Sequence, residues 1–230
     1  WYGYVWGIII FLGNYFHLEA VLDGRAAPIY LESRYTFTNY EWVKGIVYFN
    51  QGFDLPVNGT IFFDSSDLIN ADINLNGGTI VFQNNIFLSS KASLSGQGFL
   101  DLRGNALRLR SDLTLSGSDR LYILSSGAII GEADTVISPN SGAIICTNGA
   151  SSFELSNVSL YNPTTQNFVT QEYVPKILQF NKATIILSQE ITCTLFSRYV
   201  QIKNQLELKG SSLSSLQIVN QCKMMGGAQL

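Results

Sequence analysis

The chain has 230 residues, enough for one large domain or two small ones. Charged residues make up 13% against a usual share of roughly 25%, hydrophobic residues make up 46%, and the formal net charge is −3. The apolar content excludes a disordered charged tail, the Ser, Asn, Gly and Thr that replace the missing charge argue against a long helical protein, and the negative charge supplies no global field for nucleic acid. A single histidine, His17, excludes His-rich metal sites and any mechanism that needs two histidines.

In chain order, residues 4–12 (YVWGIIIFL) form an uncharged apolar run, followed by Leu18-Glu19-Ala20. The pattern reads as the apolar and cleavage regions of a secretory signal peptide lacking its positive start, or as a hydrophobic N-terminal segment over residues 1–20. Asn14, His17 and Glu19 interrupt the run well short of the 20 or so residues a spanning helix needs. Membrane contact is therefore expected only through this segment, if it is uncleaved. Residues 21–57 are dense in aromatics, among them Tyr30, Tyr35, Phe37, Trp42, Tyr48, Phe49 and Phe53, and are expected to form an N-terminal cap.

From residue 58 the chain repeats. Five segments beginning at Gly59, Gly78, Gly98, Arg120 and Gly142 start 19, 20, 22 and 22 residues apart. Aligned, they predict two inward columns: Ile61, Ile80, Leu100, Tyr122 and Ile144, and Phe63, Phe82, Leu102, Leu124 and Cys146. A second set at 72–75, 91–94, 112–115, 134–137 and 157–160 aligns Leu75 with Leu94 and Leu115. A third alternating run is clearest at Leu107-Arg108-Leu109-Arg110. Alternation of period two buries one face of each strand. A repeat this short cannot bury its own apolar face, but coils stacked about 4.8 Å apart bury a continuous column. The expectation is an all-β parallel β-solenoid of about seven coils over 58–230, each with three short strands. Lys176-ILQFN and Tyr199-VQIKN align with the first strand of the repeat, which places an insert at about 161–175.

This pattern resembles right-handed parallel β-helix proteins of pectin-lyase-like architecture, both bacterial surface and autotransporter-passenger repeats and polysaccharide-cleaving enzymes. Gly96-Gln97-Gly98-Phe99-Leu100-Asp101 resembles the Gly-x-Gly-x-x-Asp turn of polygalacturonase-like hydrolases, where that turn is structural. Their catalytic motifs, Asn-Thr-Asp, Asp-Asp, Gly-His-Gly and Arg-Ile-Lys, do not occur; Gln201-Ile202-Lys203 comes nearest to the last. The resemblance implies the fold and points away from an enzyme, with no catalytic residue assigned.

The candidate binding residues are of two kinds. Arg108 and Arg110 alternate with leucines and should face outward together, where they suit an anionic glycan or phosphate, with Asp101, Asp112 and Asp119 at hand to balance them. Tyr161, Phe168 and Tyr173 in the insert offer stacking surfaces on a loop. Cys146, Cys193 and Cys222 form no C-x-x-C, so no zinc site is expected, nor any other metal or cofactor. Two glycosylation sequons begin at Asn58 and Asn157. The functional expectation is a secreted or cell-surface structural or adhesive protein, on the bacterial outer surface, contacting a polysaccharide or another surface protein. A polysaccharide lyase or hydrolase, and a fibre subunit joined end to end, are the alternatives.

Overall fold

The computed structural model describes residues 6–12, 15–70, 72–89, 93–115, 120–138, 143–146, 152–161, 175–187, 192–210 and 215–224. Every regular element among them is a strand. The strands pair in parallel, coil upon coil, as a β-solenoid of about seven turns. The described strands fall into three ladders, and each is held by a column of inward side chains.

On the first ladder Leu22, Val43, Phe63 and Phe82 lie opposite one another, as do Ile61, Ile80, Leu100 and Ile123. The second carries Ile86, Leu107, Ile129, Leu155, Phe180 and Ile202 in one unbroken column, every member at most 2% exposed. The third carries Phe53, Ile73, Leu94 and Leu115, then Leu113, Ile137, Leu160 and Ile185. Leu208 lies opposite Ile185 and is 45% exposed. The alternation that puts these residues inward puts polar or aromatic neighbours outward.

Register corrects several details of the alignment. Leu121 and Ile123, not Tyr122 and Leu124, point inward, because Leu100 pairs with Ile123 and Phe99 with Tyr122. The run Leu121-Tyr122-Ile123-Leu124 is apolar at every position, so its phase is set by pairing and not by pattern. Leu94 lies opposite Ile73 rather than Leu75, a slip of two that keeps the same face inward. The strand Ile177–Asn181 belongs to the second ladder, where Leu178 pairs with Phe153. That coil spans 25 residues (178 − 153) and the next, from Leu178 to Val200, spans 22 (200 − 178). The residues expected as an insert at about 161–175 thus lie within a coil only about three residues longer than the next.

Parallel pairing also runs ahead of residue 58. The strand Tyr15–Leu31 pairs with Glu41–Phe49, which pairs with Thr60–Ile69. The aromatics of this region fill the interior: Phe37 meets Phe53 edge-on at 5.1 Å, and Phe49 lies 4.5 Å from Phe53. Trp6–Leu12, the apolar run near the start, pairs antiparallel with residues 15–21. Among the described residues no helix is long and apolar enough to cross a membrane.

Corners are made by backbone that side chains would obstruct. Gly45 has φ +71°, and a Cβ there would stand 2.5 Å from the carbonyl carbon of Gly24; one on Gly24 would stand 2.2 Å from the oxygen of Ile46. Successive coils thus touch backbone to backbone at this corner. Asparagines tie other corners together: Asn76 Nδ2 donates to Leu55 O at 3.3 Å and Asn105 Nδ2 to Phe82 O at 3.2 Å.

Candidate functional site

The second ladder builds the most developed outward cluster. Its outward column runs Asp67, Phe87, Arg108 and Ile130, one residue per coil. Arg108 sits between buried Leu107 and Leu109 and faces out as its alternation predicts; Arg110 follows on the same side. Both guanidinium groups cover the Phe87 ring, with Arg110 Cζ 4.8 Å and Arg108 Cζ 5.6 Å from its centroid. A cation over an aromatic face is held by the ring quadrupole.

The two arginines differ in what else they touch. Arg110 Nη1 donates to Asp67 Oδ2 at 2.7 Å, two coils away, and its Nε lies 3.6 Å from Glu132 on the next coil. The Asp67 hydrogen bond raises the Arg110 pKa above its ordinary value. Among the described residues Arg108 makes no such pair, and its Nε is buried with no hydrogen-bond partner; Asp67 Oδ1, on the other side of Phe87, is likewise buried with none among them. The four charged groups sum to zero, so the cluster is not an open anion hole. Arg108 is the member whose terminal nitrogens remain for a carboxylate, sulfate or phosphate.

The expected acidic partners are elsewhere. Asp101 binds Arg103 at 2.9 Å, and Asp112 accepts the Val136 N–H at 2.7 Å. Asp119 lies outside the described residues. Asp67, Phe87 and Glu132, which the sequence reading missed, were marked by the period: Asp67, Phe87 and Arg108 are 20 and 21 residues apart, and Glu132 follows Arg110 by 22. Of the insert aromatics, Tyr161 ends the strand Ser152–Tyr161 opposite Ile186 and is 40% exposed. Phe168 and Tyr173 lie outside the described residues.

The first ladder carries an aromatic stripe on its outer face. Trp42 stacks on Phe62 at 4.8 Å and Phe99 on Tyr122 at 5.0 Å, with interplanar angles of 16° and 23°. These separations match the coil spacing, so the rings stack along the solenoid axis. Their faces are used against each other and their edges point outward. The stripe stiffens the ladder and offers no flat platform to a ligand.

One carboxylate is built into the interior. Glu41 is 2% exposed and accepts hydrogen bonds from Tyr35 Oη at 2.8 Å and from the backbone and hydroxyl of Thr38. Burial, followed by the bond to Glu41, raises the Tyr35 pKa. This network closes the turn that leads into Glu41–Phe49 and is structural. Among the described residues no group of His, Cys, Asp and Glu side chains is arranged to hold a metal ion. No protein-family model, curated protein or solved structure matches the chain.

Proposed function

We propose that this chain is a secreted or surface-exposed structural β-solenoid of adhesive type, a stiff rod that holds side-chain contacts at fixed spacing for a ligand or partner. The supporting observation is the use of its carboxylates. Asp54 binds Arg34, Asp64 accepts from Asn84, Asp67 binds Arg110, Asp72 accepts from Ser93, Asp112 accepts from Val136 and Glu154 binds Lys203, each across coils. Groups that acid–base chemistry would bring together are spread along the rod as cross-links. The resemblance of the repeat to pectin-lyase-like and autotransporter-passenger β-helices supports a bacterial outer surface and a polysaccharide or surface protein as contact.

On this reading Arg108 holds an anionic group on the contacted chain, with Phe87 orienting its guanidinium. Retention and turnover of immobilised neutral and anionic polysaccharides test it. The reading expects retention without turnover, with Arg108→Ala weakening retention on dextran sulfate. Turnover that an Asp→Asn substitution abolishes would replace it with the enzyme reading.

A further inference from the structure

A second feature lies on the outer side of the later coils of the second ladder, away from Arg108. Asn181 lies opposite Ser156, and the Lys203 N–H donates to Phe180 O at 2.9 Å, which sets Lys203 on the coil after Asn181. The Lys203 side chain reaches back past Asn181 to Glu154, 49 residues earlier, where its Nζ donates to Oε2 at 2.5 Å. Asn181 Nδ2 donates to the other oxygen of that carboxylate, Oε1, at 3.4 Å, and to Ser156 Oγ at 3.1 Å. Asn181 Oδ1 accepts from Asn204 Nδ2 at 2.5 Å. An amine and a carboxamide from successive coils are thus held side by side on one carboxylate.

This is more than an ion pair requires. Lys209 also pairs with a carboxylate, Glu207, at 3.3 Å, and no amide shares it among the described residues. At Lys203 each part of an acyl transfer has a group in place. The amine is the nucleophile, and Asn181 Cγ is the carbonyl carbon beside it. Asn204 is the hydrogen-bond donor on the carbonyl oxygen, where negative charge develops on attack. Glu154 touches both the attacking and the departing nitrogen, so one carboxylate can carry protons between them. Ser156 is 4% exposed, and the side chains of Glu154 and Lys203 are 19% and 38% exposed. The group is therefore partly withdrawn from water, yet ammonia can still leave.

We propose that Lys203 and Asn181 join through an isopeptide bond, a covalent cross-link between successive coils. Glu154 first takes a proton from the Lys203 ammonium. The freed lone pair attacks Asn181 Cγ, the Nζ–Cγ bond forms, and charge moves onto Oδ1. Glu154 then gives its proton to Nδ2 and takes one from Nζ. The Cγ–Nδ2 bond breaks, ammonia leaves, and the proton remaining on Glu154 returns to solvent. No oxidant or second substrate is consumed. The bond fastens one coil to the next and is independent of what Arg108 holds.

The test is the intact mass of the purified full chain, followed by peptide mapping, after about a week at about pH 8. The expected result is the loss of one ammonia, about 17 Da, with a branched peptide that joins Asn181 to Lys203. Lys203→Arg keeps a cation beside Glu154 and is expected to show no loss, and Glu154→Gln should slow the loss by about tenfold or more. The unfolding temperature of each variant shows that the rod is intact, and the branched peptide of the native chain is read without any variant. An unchanged mass overturns the proposal. So does a loss that persists in Lys203→Arg, or that maps to a succinimide at an Asn-Gly pair such as Asn76-Gly77. Equal rates in a folded Glu154→Gln chain overturn the role of the carboxylate. Loss of retention on dextran sulfate by Arg108→Ala bears on the anionic contact alone, so the two readings fail separately.

Discussion

Arg110 and Asp67 are 43 residues apart in sequence and 2.7 Å apart in space, joined across two coils with the Phe87 ring beneath the guanidinium. The link is a direct product of a repeat in which a residue's lateral neighbours lie about one period away. The pair is partly solvated, with side chains 38% and 21% exposed, so its Coulomb contribution is small. Arg110→Ala is expected to cost about 1–2 kcal/mol, combining the ion pair with the cation–π contact. A double-mutant cycle with Asp67→Ala, read by urea denaturation, should give a coupling that shrinks at high salt. Zero coupling at low salt would contradict the geometry.

Register makes a sharper stability prediction. Leu121 is 1% exposed and belongs to the first-ladder core, whereas Leu124 lies on the outer side and is only half-buried. Leu121→Ala should cost about 2–5 kcal/mol and Leu124→Ala well under half of that. Denaturation midpoints compare them. The reverse order would restore the inward alignment of Tyr122 and Leu124.

The Tyr35 phenol gives a pH dependence. Its pKa in the folded chain is raised above the ordinary value near 10, by burial and then by Glu41. The folded state therefore binds this proton more tightly than the unfolded chain does. The resulting stability is complete below about pH 10 and is lost as pH rises toward the folded-state value. Tyr35→Phe should cost about 1 kcal/mol at neutral pH, from the lost bond to Glu41, and should make the alkaline decline shallower. An alkaline profile identical to that of the native chain would show that Tyr35 is not held as described.

Gly45 is predicted to tolerate no side chain. Its positive φ and the 2.5 Å approach to Gly24 are both backbone constraints, so no rotamer relieves them. Gly45→Ala should destabilise the chain by about 1–3 kcal/mol in the same denaturation assay, more than the entropy it saves in the unfolded state. A neutral or stabilised variant would mean that coils are not in contact at this corner.

Much of the fold was legible because it is written as repetition. The spacings of 19–22 residues and the alternation at Ile61, Phe63, Ile80 and Phe82 are enough to stack parallel strands and to place Arg108 and Arg110 outside. Phase was not legible where every residue is apolar, as at 121–124, since either alternation buries a comparable area. The first coils were hidden because their interior is filled by Phe37, Phe49 and Phe53 rather than by aliphatic residues, which made a solenoid core look like a separate cap. Asp67 and Glu132 are hard to read from the sequence for another reason. Their partner Arg110 is distant in sequence, because in a solenoid a residue's lateral neighbours lie one or two periods away.

The most direct test of the account is a distance along the rod. Ser93 and Lys209 occupy the outer side of the third ladder, five turns apart through Thr114, Ser138, Tyr161 and Ile186. Spin labels would be placed at these two positions in a chain whose Cys146, Cys193 and Cys222 are replaced by Ser, and their separation measured by double electron–electron resonance. Stacking in the stated register predicts a single narrow distribution near 24 Å, about five coil spacings. A broad distribution, or a distance beyond about 40 Å, would contradict the stacked solenoid on which every contact described above depends.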